Sequence, residues 1–505
     1  MLYSCHNKVY NPNLNLTLDK YTDMTVCAYK INSHRIKEQM NVLIKEDKDT
    51  LMADYRTRSY YLRKGAFLWI DRLGIDDRAD TLLAYINQVD KLGFSKSKFK
   101  VQQIQEDLLR VRTLNFDTAY NNINRVMARL EYNLTKAYLR YVTGQRFGYI
   151  NPKYIFNKLD VNDSDSVRVS YRCLFDIPMQ QVGPSFYKEA LRKISNDSVG
   201  EFLKDVQPKS PMYKELFALL NNIQTKSSEK PKIMVNMERC RWRLRNFPQQ
   251  HKKYILVNIP SFKLIAVDGD EVLKMRIGCG TFETKTPLLT SLIARMDINP
   301  QWIIPRSIIR KSIVRHLGDS GYFAHNHYFV RERRSGKSVD ISRVTFSMLD
   351  SPDYLVIQEG GEGNSLGRII FRFDNAFSIY LHDTSSKDVF ARDDRGVSHG
   401  CIRVEKPFDL AVFLLKDKTN DLIHKISYSM NADVSELKRN HNKKDEERPD
   451  TLNRGLIIGS VPVDPQVPIF ITYFTIYPDE KGKLQDFDDV YGYDKVIYKY
   501  FANYK

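Results

Sequence analysis

Residues 254–277 read YILVNIPSFKLIAVDGDEVLKMRI, and this stretch decides how the second half of the chain is built. Tyr254–Ile259 and Leu264–Val267 are β-branched and apolar runs too short for helices. Asp268-Gly269-Asp270 then supplies the residues that tolerate a tight turn before Val272–Ile277, a hairpin signature. Reading outward, the same strand grammar recurs at Arg368–Phe373, Ser378–His382 and Val467–Ile476. Few helices interrupt it. The clearest begins at Pro407 and carries Phe408, Leu410, Ala411, Phe413 and Leu414 on one apolar face. Residues 307–350 break the strand series and read as an insertion placed to act as a lid.

Upstream of residue 225 the period is helical. Ile123, Val126, Met127, Leu130, Leu134, Ala137 and Tyr141 share one face, with Gly144 as the expected stop. Ser210-Pro211 is a cap followed by a first-turn proline, leading into Leu216, Phe217, Leu219, Leu220 and Ile223. The polar stretch TKSSEKPK (225–232) predicts a domain boundary. The expected architecture is therefore α+β: a helical domain over 1–228, then a mostly β domain over 229–505. The run NHNKKDEERP (440–449) reads as a solvated loop.

With 505 residues, 42% apolar and 28% charged, the chain has ordinary globular composition and length for two or three domains. No run of eighteen apolar residues reads as a membrane span. The start, Met1-Leu2-Tyr3-Ser4-Cys5, lacks the charged and apolar regions of an export signal. The net charge of +17 favours polyanionic partners in general, but the excess is spread thinly, with pairs such as Arg241/Arg243 and Arg333-Arg334. No nucleic-acid-binding motif accompanies it, so a basic solvated surface is expected and no nucleic-acid partner. Six cysteines, at 5, 27, 173, 240, 279 and 401, contain no Cys-x-x-Cys pair. Cys27, Cys173, Cys240 and Cys279 are expected to pack as apolar residues.

Cys401 stands apart, in Ser398-His399-Gly400-Cys401-Ile402-Arg403. A nucleophile needs exposure on a tight turn, a base in reach and donors for an oxyanion. Gly400 permits the turn, and the amides of His399, Gly400 and Cys401 are candidate donors. A thiol with pKa ~8.5 needs an imidazolium neighbour to lower it by about two units, or ~2.7 kcal/mol. His399 is adjacent in sequence. His382 arrives from a separate strand and is the favoured base, its ring oriented by Asp383 or by a nearby backbone carbonyl. The alternative is a buried structural thiol with incidental histidines.

His382, a fifteen-residue gap and Ser398-His399-Gly400-Cys401 together resemble the L,D-transpeptidase signature. The similarity covers about 232–505 and resembles the large murein transpeptidases with a scaffold domain. It is carried by Asn236–Trp242, Val257–Pro260, Asn299–Pro305, Asn364–Gly367, Tyr380–Thr384 and Tyr491–Asp494, with a weaker likeness over Ala137–Pro152. The resemblance implies attack of Cys401 on the bond between the third residue of a peptidoglycan tetrapeptide stem and its terminal D-alanine. A thioester forms, D-alanine leaves, and an acceptor stem's amine resolves the thioester into a 3→3 cross-link. With water as acceptor the outcome is carboxypeptidase activity. It further implies acylation by carbapenems and a periplasmic or cell-envelope location. Cys5 is then a candidate lipid anchor, and the helical domain a surface for envelope partners. The small peptidoglycan-binding module of many large relatives has no counterpart between 150 and 230. No cofactor or metal is implied.

Arg403 is a candidate ligand for a stem carboxylate, or else the partner of structural carboxylates. Arg395, with Lys387 and Arg392, forms either a cationic rim or a solvated loop; Tyr380 and Ser398 complete the candidate substrate contacts. His325 and His327 read as exposed insertion residues rather than metal ligands. Tyr322, Phe323, Tyr328 and Phe329 are expected to pack the insertion. Three classes stay open at this point: acyl transfer, cysteine hydrolysis and non-catalytic binding of wall or nucleic acid.

Overall fold

The computed structural model describes residues 31–71, 74–117, 119–162, 170–432, 452–479 and 481–505. Cys5, Cys27 and the run 440–449 lie outside them. A helical half precedes a β-rich half, as the sequence predicts. The helix Ile123–Phe147 is the axis of the first half, with Ser33–Glu46, Met52–Leu62 and Val101–Thr113 packed along it. It does not stop at Gly144. That glycine lies where a Cβ would fall 2.1 Å from the Tyr149 ring, so it allows a close approach inside the helix. The stop comes at Gly148, whose φ of +93° suits glycine. The helix Pro211–Leu220 is capped by the Ser210 hydroxyl, which accepts from the Tyr213 amide at 3.2 Å. Ile223 lies beyond its end and is 98% exposed.

In the second half, β1 (Lys253–Asn258), β2 (Lys263–Asp268) and β3 (Glu271–Gly280) form the expected antiparallel meander. They are joined by β4 (Leu288–Ile298), β5 (Ile369–Phe373), β6 (Leu381–His382), β7 (Ile402–Val404) and β8 (Ser460–Thr472). β3 pairs with β7, β7 with β6, β6 with β5, β5 with β4, β4 with β8, and β8 with β1. The eight strands thus close into a ring, and closure removes the exposed edges that would otherwise invite mispairing. β6 is much shorter than the Ser378–His382 run predicts. The Asn375 side chain accepts from the amides of Phe377 (3.0 Å) and Ile379 (3.2 Å), and Ser378 sits at φ +55°, so turn chemistry holds the chain out of the sheet.

The insertion has a sheet of its own, in the spatial order Trp302–Ile303, Tyr354–Gln358, Tyr328–Glu332 and Ser338–Val339. Ile304, Ile309, Ile313, Phe323, Val330 and Leu349 fill a core separate from that of the ring. Phe323 and Phe329 are buried, His325 is exposed and His327 half-buried.

One continuous apolar core links the helices to the ring. Phe175–Asp176 pairs in parallel with Leu288–Leu289 at the start of β4. The helix Lys230–Arg241 packs on both Pro211–Leu220 and Tyr493–Tyr500. Inside it, Asn236 donates to the Thr475 hydroxyl at 2.7 Å and accepts from the Thr475 amide at 3.1 Å. Arg241 is not part of a basic surface. It is buried against Glu238 at 3.2 Å, donates to the Tyr213 hydroxyl at 3.0 Å, and packs on the Tyr149 ring. Tyr504 returns to the helices: its carbonyl accepts from the Ser95 amide at 2.8 Å and its ring lies 4.8 Å from that of Tyr149.

Candidate active site

The parallel pairing of β6 with β7 builds the site. Leu381 pairs with Ile402 and His382 with Arg403. Leu381 and Ile402 point into the core, both fully buried. By the two-residue period of a strand, Tyr380, His382, Cys401 and Arg403 are sent to the opposite face. The residues that the sequence singles out are therefore neighbours because of register, not because of the short loop that separates them in the chain.

The turn that carries Cys401 is fixed from every side. Ser398 Oγ donates to the Cys401 carbonyl at 2.5 Å and accepts from the Gly400 amide at 3.0 Å. The Ser398 carbonyl accepts from Thr284 Oγ1 at 2.7 Å and from the Thr281 amide at 3.1 Å. Thr286 Oγ1 donates to the Gly400 carbonyl at 2.8 Å and accepts from the Gly280 amide at 2.9 Å. The buried Tyr491 hydroxyl donates to the Gly280 carbonyl at 2.8 Å and accepts from the Thr286 amide at 3.1 Å. Gly400 adopts φ +120°, a conformation that demands glycine. Because its amide is committed to Ser398, the turn has the amides of His399 and Cys401 left to offer an oxyanion. Ser398 is thereby a turn anchor, with both ends of its side chain engaged.

His382 is buried, and its Nδ1 meets the main-chain carbonyl of Asp383. A carbonyl only accepts, so Nδ1 carries the proton, and the Leu366 backbone also hydrogen-bonds to the ring. The Asp383 carboxylate does not touch the ring. It accepts from the Arg368 amide at 2.8 Å and pairs with Lys387, close under Gly367. Of the two orienting groups left open by the sequence, the backbone carbonyl is the one in place.

Burial pushes the Cys401 thiol up to about 11, against the pull of the Tyr380 amide and hydroxyl and of Arg403. Burial and Arg403 push His382 down to about 4. The expected low-pKa thiolate is absent from the resting site, because desolvation outweighs every charge and hydrogen bond around the sulfur. Burial thus favours the neutral thiol and the neutral imidazole.

Arg403 stands beside both groups. Its guanidinium is held below its usual range by burial, and its buried Nε has no hydrogen-bond partner. Arg395 is differently placed. Its Nε donates to the Ile277 carbonyl at 3.1 Å, other nitrogens reach the carbonyls of Arg392 and Phe262, and it lies over the Phe262 ring. Arg392 pairs with Asp388 at the exposed rim. His399 is exposed rather than packed on the thiol; burial of part of its ring and the Lys311 charge from the insertion hold its pKa down.

Beside the turn lies a cavity of about 200 Å³ lined by Arg172, Cys173, Lys285, Pro287, Phe377, Ile379, His399 and Gly400. Cys173 is exposed, not packed as expected, because it ends the strand entry just before Leu174 and Phe175 turn into the core.

Residues 252–426 match the L,D-transpeptidase catalytic domain, and residues 55–220 match the Scaffold domain. The chain carries an L,D-transpeptidase catalytic domain. A curated Haemophilus influenzae protein named "Putative L,D-transpeptidase" is 29% identical over 313 residues, 61% of this chain. The chain spans 58% of that relative's length. A solved L,D-transpeptidase from Mycobacterium smegmatis matches at 15% identity over 32% of this chain and 53% of its own, with a TM-score of 0.17, too low to carry an argument.

Within the L,D-transpeptidase domain, Thr281, Thr284 and Thr286 are the functional neighbours that sequence reasoning missed. The run Gly280-Thr281-Phe282-Glu283-Thr284-Lys285-Thr286 was a visible signal: closely spaced hydroxyls after a strand end are turn-bonding chemistry.

Proposed function

We propose that the protein is a peptidoglycan L,D-transpeptidase that forms 3→3 cross-links through a Cys401 thioester. The observation that carries this reading is the placement of Cys401 and His382 on one face of two paired strands, with His382 Nδ1 held by the Asp383 carbonyl. As Cys401 Sγ bonds to the stem's third-residue carbonyl, its proton passes to His382 Nε2. The C–N bond to the terminal D-alanine then breaks, and the imidazolium returns that proton to the departing amine. The amine of an acceptor stem attacks the thioester, loses its proton to His382, and the thiol re-forms. Amides of His399 and Cys401 stabilise the oxyanion. The unpaired Arg403 faces a stem carboxylate, and the insertion covers the site from the side of Lys311. The enzyme works in the periplasm or envelope, where its substrate is, and the helical half meets envelope partners.

The test is incubation with purified disaccharide-tetrapeptide and mass spectrometry of the products. Dimers lacking one D-alanine, absent with Cys401→Ala, are expected. Tripeptide alone would make the protein a carboxypeptidase using the same site. Tetrapeptide left intact, together with no carbapenem adduct on Cys401, would end the proposal.

A further inference from the structure

The cavity beside the nucleophile turn is built from both halves of the chain. Arg172 comes from the segment before the ring, just after the short pair Val161–Asn162 with Ser170–Tyr171, whereas Lys285, Pro287, Phe377, Ile379 and Gly400 belong to the ring. Its floor and its rim differ in chemistry. Pro287, Phe377 and Ile379 are apolar, and Ile379 lies where a Cβ on Gly400 would meet it at 3.6 Å. Arg172 and Lys285 supply two positive charges. Both share one carboxylate: Asp160 lies 2.8 Å from Lys285 Nζ and 3.6 Å from Arg172 Nη1. Two cations thus share one carboxylate beside the cavity, with Lys285 Nζ also 4.3 Å from the Phe282 ring centroid.

Arg172 is held in place but not used up. Nη1 donates to the Glu283 carbonyl at 2.6 Å and Nη2 to the Lys285 carbonyl at 3.4 Å, while the side chain is 31% exposed. A guanidinium has five N–H donors in a fixed fork, so a clamped one still presents donors to a carboxylate.

We propose that this cavity seats the terminal residue of the donor stem, with its methyl group on the apolar floor and its free carboxylate at Arg172. The proposal rests on the transpeptidase reading above and names what that reading leaves open: selection of a stem that ends one residue beyond the attacked carbonyl. The small floor takes a methyl side chain, and the cation rejects a chain that continues as an amide. The first half of the chain thereby supplies a specificity residue to the ring's active site.

The experiment compares release of the terminal amino acid from a tetrapeptide stem ending in D-alanine with release from the same stem ending in D-alaninamide. One amine acceptor is held constant in both arms. The wild-type protein is expected to prefer the free acid by roughly tenfold to a hundredfold in kcat/KM, the range of one charge-assisted hydrogen-bonded contact. In Arg172→Gln that ratio falls towards one. Equal use of acid and amide by the wild type overturns the inference without needing any variant. So does a ratio that survives in Arg172→Gln. Release from neither substrate overturns the transpeptidase reading, and this inference with it.

Discussion

Tyr380 lies against Cys401 with both its amide and its hydroxyl facing the thiol, and its ring stands 5.9 Å from that of His382. The tyrosine therefore touches both partners of the proposed proton transfer, and its hydroxyl favours the thiolate. Tyr380→Phe removes one hydrogen bond to a developing charge, about 1.5–3 kcal/mol. Iodoacetamide alkylation of Cys401, followed against pH, should shift to higher pH in this variant, with turnover down at least tenfold. An unshifted alkylation profile would show that the hydroxyl does not support the thiolate.

Two buried groups should give opposite pH dependences of stability. His382 is depressed from 6.5 to about 4, so its contribution is full above pH 6.5 and is lost as pH falls towards 4. Glu131 sits under the helical half, raised by burial to about 7 although the amides of Trp69 and Ile70 donate to it at 3.0 and 3.2 Å. Its contribution is full below about 4.5 and is lost as pH rises through 7. Each is worth about 3 kcal/mol over its window. They cancel across much of pH 4.5–6.5. Denaturant midpoints should therefore change little for the wild type there, fall with pH in His382→Gln, and rise with pH in Glu131→Gln. Parallel curves for all three proteins would refute the assignment.

Thr286 ties the Gly400 carbonyl to the Gly280 amide through one hydroxyl. Thr286→Val leaves both backbone groups buried and unmatched, at a cost of about 2 kcal/mol, and loosens the turn that aims Cys401. Turnover should drop at least tenfold with KM little changed, and Thr286→Ser should restore it. Rescue by serine is the decisive readout, since simple loss of packing would not be repaired by the smaller residue.

Gly367 packs directly against Asp383. It has φ +64°, and a Cβ there would fall 2.4 Å from the carboxylate carbon. Gly367→Ala should displace Asp383, and with it the carbonyl that fixes the His382 tautomer. The expected loss is 1–3 kcal/mol of stability from backbone strain and a turnover defect beyond it. Imidazole nitrogen shifts in NMR should report a mixed tautomer; a single unchanged tautomer would contradict the coupling.

The meander β1–β3, the nucleophile stretch and His382 were legible because local period, turn residues and motif spacing all point one way. What escaped the sequence was long-range. Ring closure depends on β4 and β5 pairing across the insertion, and no local signal encodes it. Arg241 looked like surface charge because its buried partners Glu238, Tyr149 and Tyr213 come from three elements. The thiol pKa was misjudged because residue types reveal neighbouring charges but not the depth of burial, and here burial dominates.

Tyr504 gives the molecule an order of assembly. Its ring fills a space among Phe94, Phe99 and Tyr149, and its carbonyl completes the Ser95 turn. These helices leave the ribosome long before Tyr504 does. Until it arrives their aromatic pocket is unfilled, so the first half waits on the last strands and helix for its final packing. A chain halted between Tyr491 and Tyr504 would hold a complete set of active-site residues around an unfinished scaffold.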